Sequence, residues 1–173
     1  MNFTTYGPFQ LKEMSKTGID ELYQDIKTIN ADLQFAVGVY VVAAKDAKGR
    51  LVPWYVGKTG KEFGARLRQH FDAEKFHALS SKSGSLFVFL LAHVTNSGKI
   101  KKVTDSAKRG LNLTAIDHLE FTLIGSCLLK NPDILNKSGK SFHASIYVPG
   151  YLNSPPDKRD EAAQSFASML GAK

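Results

Sequence analysis

The chain has 173 residues, 43% of them hydrophobic, one cysteine and a net charge of +7, enough to bury one core but short for two independent ones. The lone Cys127 excludes an internal disulfide, and no Cys/His cluster has zinc-site spacing. The longest apolar run, LFVFLLA, is far too short to span a bilayer, and the N-terminus MNFTTYGPF lacks the basic and apolar regions of a leader, so the cytoplasm is the expected location, with no membrane partner.

The charge is unevenly spread. Residues 1–36 carry three basic and five acidic side chains, residues 45–140 seventeen and eight, and residues 141–173 three of each. A basic centre between neutral or acidic ends points to a charged working face and favours a nucleic-acid partner over general solubility.

In chain order, GIDELYQDIKTINADL spaces Ile19, Leu22, Tyr23, Ile26, Ile29 and Leu33 by three and four, which predicts an amphipathic helix with Asp20 and Glu21 in its first turn. FAVGVYVVAA, the turn cluster KDAKGR and LVPWYV predict a β-hairpin, with Pro53 placing the second strand at a sheet edge or bulge. A helix follows at about 61–71 with Phe63, Leu67 and Phe71 as its stripe, then a third strand LFVFLLAHV apolar enough to be covered on both faces. TNSGKIKKVTDSAKRG reads as a basic loop with a hairpin about Ser97-Gly98. A second long helix opens at Thr114, with Asp117 in a rough capping box, and ends before Asn131-Pro132. SFHASIYV is a candidate strand, and Ser154-Pro155-Pro156 opens a C-terminal helix.

Within PWYVGKTG, Gly57-Lys58-Thr59 mimics the end of a phosphate-binding P-loop, but the glycine required five positions earlier is Val52, which excludes that loop. The strongest chemical signal is Glu120, which falls inside the stripe of Ile116, Leu119, Leu123, Ile124 and Cys127. A carboxylate there needs a buried Arg or Lys, neutralisation by a raised pKa, a metal ion, or a salt bridge at the rim of the stripe. Arg66 and His70 lie one turn apart on one edge of their helix, where a guanidinium fork suits a phosphate and the imidazole can exchange a proton, whereas Arg68 points elsewhere. Tyr40 and Tyr55 occupy the two hairpin strands, with Lys58 just beyond the second.

Gly38-Val39-Tyr40, Tyr55-Val56-Gly57-Lys58, Arg66-Leu67, Glu120 and Asn136 after Pro132 occur in an order that resembles the GIY-YIG nuclease family across about residues 36–140. Valine replaces isoleucine in both tripeptides, and the stretches from Tyr40 to Tyr55 and from Glu120 to Pro132 are long. The resemblance implies a small α/β (α+β) domain with a three-stranded antiparallel sheet flanked by helices; outside it, the pattern gives an N-terminal helical extension at 1–35 and a C-terminal strand and helix at 141–173. It implies hydrolysis of DNA phosphodiesters with Mg²⁺ or Mn²⁺ on Glu120, Arg66 on the scissile phosphate, Tyr40 as general base, Tyr55 orienting water or phosphate, and Asn136 near the metal or bracing the scaffold. A phenol of pKa about 10 serves as base only if Lys58 or His70 favours its phenolate. Lys45, Lys48, Arg50, Lys58, Arg68, Lys99, Lys101, Lys102, Lys108 and Arg109 are the expected DNA contacts, and a double-strand cut at a defined site calls for a homodimer. The rival expectation is a non-catalytic nucleic-acid-binding module on the same fold.

Overall fold

The computed structural model describes residues 2–71, 74–83, 85–102, 113–145 and 161–169. Four antiparallel strands, β1 (Asn2–Leu11), β2 (Gly38–Lys45), β3 (Leu51–Thr59) and β4 (Leu86–Val94), form one sheet in the order β1-β4-β2-β3. The fourth strand corrects the expected three. It comes from the N-terminal segment, where polar Thr4, Thr5 and Gln10 interrupt the apolar pattern and hide a strand whose register is set by β4. As an edge strand it is half solvated, so its sequence need not be continuously apolar.

The two central strands, β4 and β2, carry the most buried backbone, which explains the near-continuous apolarity of LFVFLLAHV. β3 is the other edge, and its register slips beside Trp54, between the pairs Val42–Tyr55 and Ala43–Pro53. A proline without an N–H donor is accommodated at such an edge and bulge.

One face of the sheet is covered by α1 (Lys16–Ile29), α2 (Phe63–Phe71) and α3 (Glu74–Ser83), whose Leu22, Ile26, Phe63, Leu67, Phe71 and Phe76 pack on Tyr40, Val42, Val88 and Leu90. α1 begins earlier than the charge pattern suggests because Ser15 caps it, its side chain accepting from Gly18 N–H at 3.0 Å. Asp20 and Glu21 therefore stand outside the first turn and pair with Arg68 and Lys12 instead. Ile29 is exposed and Leu33 belongs to a separate 3-10 turn, Leu33–Phe35. Among the described side chains of α3, Phe76 and Leu79 are the buried anchors, too sparse a pattern to read.

The opposite face packs on α4 (Leu113–Leu128), which sets Ile116, Ile124 and Cys127 against Val37, Val39 and Val56. Burial pushes the Cys127 thiol up to about 11, in keeping with a small apolar core residue. Beyond β4, the chain turns at Ser97-Gly98, with Thr95 N–H donating to Lys99 C=O at 2.8 Å, and Lys101 N–H donates to His93 C=O at 2.9 Å. The basic hairpin therefore lies at the Gly38 end of β2, where Ala36 bridges Lys102.

The chain divides into two units, 1–136 and 137–173. The second contains α5 (Ser138–Ser145) and α6 (Glu161–Met169). Residues 141–145 are helical, which corrects the strand expected in SFHASIYV; the proposed cap at Ser154-Pro155-Pro156 lies outside the described residues. No described helix is long and apolar enough to cross a membrane.

Candidate active site

The candidate residues meet at the Gly38–Thr59 end of the β2–β3 hairpin. Alternation along β3 sends Tyr55 toward the α2 side of the sheet and Lys58 toward α4, so the group reaches around a free sheet edge from both faces. On the α2 side, the buried Tyr40 hydroxyl lies 2.8 Å from His70 Nδ1. The Tyr55 ring is 6.1 Å from that of Tyr40 and 5.4 Å from that of His70, and Phe76 closes on Tyr55 edge-to-face at 5.3 Å.

Space for this stack comes from Gly57. It pairs with Tyr40 across the hairpin, and a Cβ there would fall 2.5 Å from the Tyr40 hydroxyl and 2.8 Å from Tyr55 Cε1. At the other end of the pairing, Gly38 adopts φ 154°, and a Cβ would collide with the Leu91 carbonyl. Both glycines of the tripeptide pattern thus have a steric reason.

Desolvation raises the pKa of Tyr40 strongly, reinforced by Tyr55 and Glu120; Arg66, through its charge and a hydrogen bond, opposes the rise without cancelling it. Tyr55 is raised for the same leading reason, again with Arg66 opposing and Glu120 reinforcing. The condition for Tyr40 to act as a phenolate base is therefore not met: burial outweighs the cations. Nor does Lys58 serve the phenol. Its ammonium lies 3.0 Å from both Glu120 Oε2 and Asp117 Oδ1, and those carboxylates raise its pKa against desolvation, the largest single influence.

Glu120 thus resolves as a rim carboxylate with a lysine partner, its side chain one-fifth exposed. Its negative charge reinforces the raised pKa of both phenols. Asp117, one turn earlier on α4, bonds Lys58 in place of the expected capping role. Its spacing of three from Glu120, which puts the two on one helix face, was the signal available for it. The two carboxylates and one ammonium sum to −1, and Mg²⁺ needs only one or two protein carboxylates besides water and substrate oxygens. Glu120 and Asp117 are the carboxylates here that could hold a Mg²⁺ or Mn²⁺ ion, in place of or beside the Lys58 ammonium. Among the described residues no three His, Cys, Asp or Glu side chains form a closed metal cage.

Asn136 takes a structural place. Its Oδ1 accepts from Val56 N–H at 2.9 Å and its Nδ2 donates to Val56 C=O at 2.7 Å, both buried, so the amide braces β3. This is the bracing contact that was one of its two expected roles.

The expected DNA contacts fall into separate groups. Lys58 sits in the site, and Lys99, Lys101 and Lys102 lie on the hairpin at the same sheet end, Lys102 paired with Asp32 at 2.7 Å. Lys45, Lys48 and Arg50 occupy the other end of the β2–β3 hairpin, six residues or about 20 Å away. There Arg50 is paired with Asp46 at 2.8 Å and Lys45 lies over Phe87. Arg68, also an expected DNA contact, faces α1, 2.9 Å from Asp20 and stacked 4.3 Å above the Tyr23 ring. Lys108 and Arg109 lie outside the described residues.

Beside the phenol stack, a cavity of about 660 Å³ opens between the start of α2 and α4, lined among others by Lys58, Thr59, Lys61, Arg66, Gln69 and Asp117. Arg66 forms its wall, with Nη1 donating to Gln69 Oε1 at 3.0 Å. The chain matches no family model, no curated protein and no solved structure.

Proposed function

We propose that this chain is a metal-dependent endonuclease that hydrolyses DNA phosphodiesters in the manner of the GIY-YIG family. The observation that carries the reading is convergence. Tyr40, Tyr55, Arg66, His70 and Glu120 come from two strands and two helices: the phenols stack with His70, Arg66 lines the cavity together with Lys58, and Lys58 pairs with Glu120. Packing alone supplies no reason to collect those groups at a solvent-facing sheet edge.

Arg66 holds the scissile phosphate: its fork matches phosphate oxygens and it borders both the phenols and the cavity. A divalent ion on Glu120 would neutralise charge on the phosphoryl and leaving oxygens. Because Tyr40 stays a neutral phenol, it works as a relay. With His70 in the tautomer that leaves Nδ1 unprotonated, Tyr40 passes its proton along the 2.8 Å contact as it takes one from the attacking water. The water becomes the nucleophile, Tyr40 ends neutral and His70 carries the charge. Tyr55, beside both, orients the water or phosphate through its hydroxyl.

The test is incubation with supercoiled and single-stranded DNA, in Mg²⁺, Mn²⁺ or chelator, beside Glu120→Gln and Tyr40→Phe. Metal-dependent nicking abolished in Glu120→Gln and reduced in Tyr40→Phe is the expected result. Wild-type cutting by Tyr40→Phe overturns the relay. DNA binding that weakens steeply with salt, without cutting in any condition, would replace the enzyme by a binding module.

A further inference from the structure

We infer that the cavity beside Arg66 seats a second backbone phosphate of the DNA strand, adjacent to the one cut, and that Lys61 is its contact. The inference rests on the proposed DNA substrate and adds a residue that the nuclease resemblance does not contain.

The charges lining the cavity lead there. Lys58 is held by Asp117 and Glu120, and Arg66 is engaged with Gln69. Lys61 is exposed, and no ion pair of its ammonium occurs among the described residues. Three cations face the cavity against Asp117, so the lining carries a surplus of positive charge in a concave place, where field lines converge.

The position is also built. Lys61 N–H donates to Oγ1 of the buried Thr59 at 3.0 Å, and two residues later Phe63 N–H donates to Ala36 C=O at 3.0 Å. The backbone is pinned on both sides, so only the side chain needs ordering when an anion arrives. Lys61 lies two residues before α2 begins at Phe63, and Arg66 is in the first turn of that helix, so both line the same cavity. At about 660 Å³, the cavity has the size of a cleft that takes a ligand of nucleotide scale, more than one phosphate needs. A contact of this kind fixes where the strand lies and reads no sequence.

Duplex affinity measured by fluorescence anisotropy in chelator, over a range of salt, tests this without requiring cleavage. Lys61→Ala should flatten the slope of log K against log salt by about 0.9, the value of one phosphate contact on duplex DNA. Lys61→Arg should restore it, and Lys16→Ala, the same charge lost from α1, should leave it unchanged. In a duplex scanned with neutral methylphosphonates, one position should weaken the wild type and not Lys61→Ala. A wild-type slope in a folded Lys61→Ala protein, or a scan in which both proteins respond alike everywhere, overturns the inference. A chain that binds with the Lys61-dependent slope but never cuts ends the catalytic proposal and leaves this one standing. Cutting with a Lys61-independent slope does the reverse, and absence of duplex binding ends both.

Discussion

Replacing Gly57 by alanine tests fold and site together because two effects of opposite sign compete. Glycine in a strand interior costs roughly 0.5–1 kcal/mol against alanine in chain entropy, so with open space around it the change would stabilise the protein. Space is what the structure denies. The new Cβ would stand 2.5 Å from the Tyr40 hydroxyl, and ordinary contact begins at 3.4 Å, so the ring must retreat by about 0.9 Å. Tyr40 is fully buried, with Phe63 edge-on at 6.5 Å and His70 at 5.7 Å between ring centres, and has nowhere to go without moving them. Overpacking of this kind costs about 1–3 kcal/mol, which outweighs the entropic gain and leaves a net loss of about 1–2 kcal/mol. Calorimetry should record a Tm lower by about 2–8 °C, since each kcal/mol moves Tm by about 2–4 °C at this chain length. A displacement approaching 1 Å at the Tyr40–His70 contact should also cost about 100-fold in any cleavage rate. In a Tyr40→Leu background the alanine should cost less than about 0.5 kcal/mol. A Gly57→Ala protein that melts at or above the wild-type temperature would refute the steric argument, and unchanged cleavage would refute the relay's need for that spacing.

Asn136→Ala removes two buried hydrogen bonds to Val56 and leaves both backbone groups unpaired, a loss of about 2–4 kcal/mol by urea denaturation, with little change in DNA affinity of the folded protein. Arg68→Ala gives up a half-exposed ion pair and a stacked ring, about 1 kcal/mol, and should leave the salt dependence of DNA binding alone; a flatter slope would return Arg68 to the DNA face. Burial raises the Tyr23 phenol to about 12, and Tyr40 and Tyr55 move the same way from the ordinary value of 10.0. Above pH 10 the unfolded chain sheds phenolic protons that the folded chain keeps, so stability present below that point should fall as pH rises through it. Denaturation midpoints followed beside tyrosinate absorbance should show both effects, and midpoints flat across that range would contradict the burial of these rings.

What was legible followed from local rules. The hairpin, the Phe63, Leu67, Phe71 stripe, the turn at Ser97-Gly98 and the inward face of α4 each repeat at a helix or strand period, and each reappears in the fold. β1 was hidden because its partner is some ninety residues away and an edge strand carries no continuous apolar run. The neighbourhood of Glu120 could be posed as a need for a partner, but not answered. Lys58 is 62 positions earlier, and only the packing of α4 across β3 brings the ammonium to it. The protonation state of Tyr40 was unreadable for a related reason: several cations are near in sequence, yet the outcome depends on how completely the ring is buried.

The free edge of β3 explains why so many long-range polar contacts collect there. An unpaired strand edge offers a row of donors and acceptors that invites pairing with another chain. Here the segment after α4 lies along it. Asn131 Nδ2 donates to Pro53 C=O at 2.8 Å, Leu135 N–H donates to Trp54 C=O at 2.8 Å, and Asn136 takes both polar groups of Val56. Those contacts run from residue 53 to residue 56 and the amide bracing stops there, one residue short of Gly57. Beyond that point Gly57 admits the phenols from one face and Lys58 meets the carboxylates of α4 on the other. A strand that is tied down along most of its length and open only at its exit holds the residues there rigid while leaving them accessible.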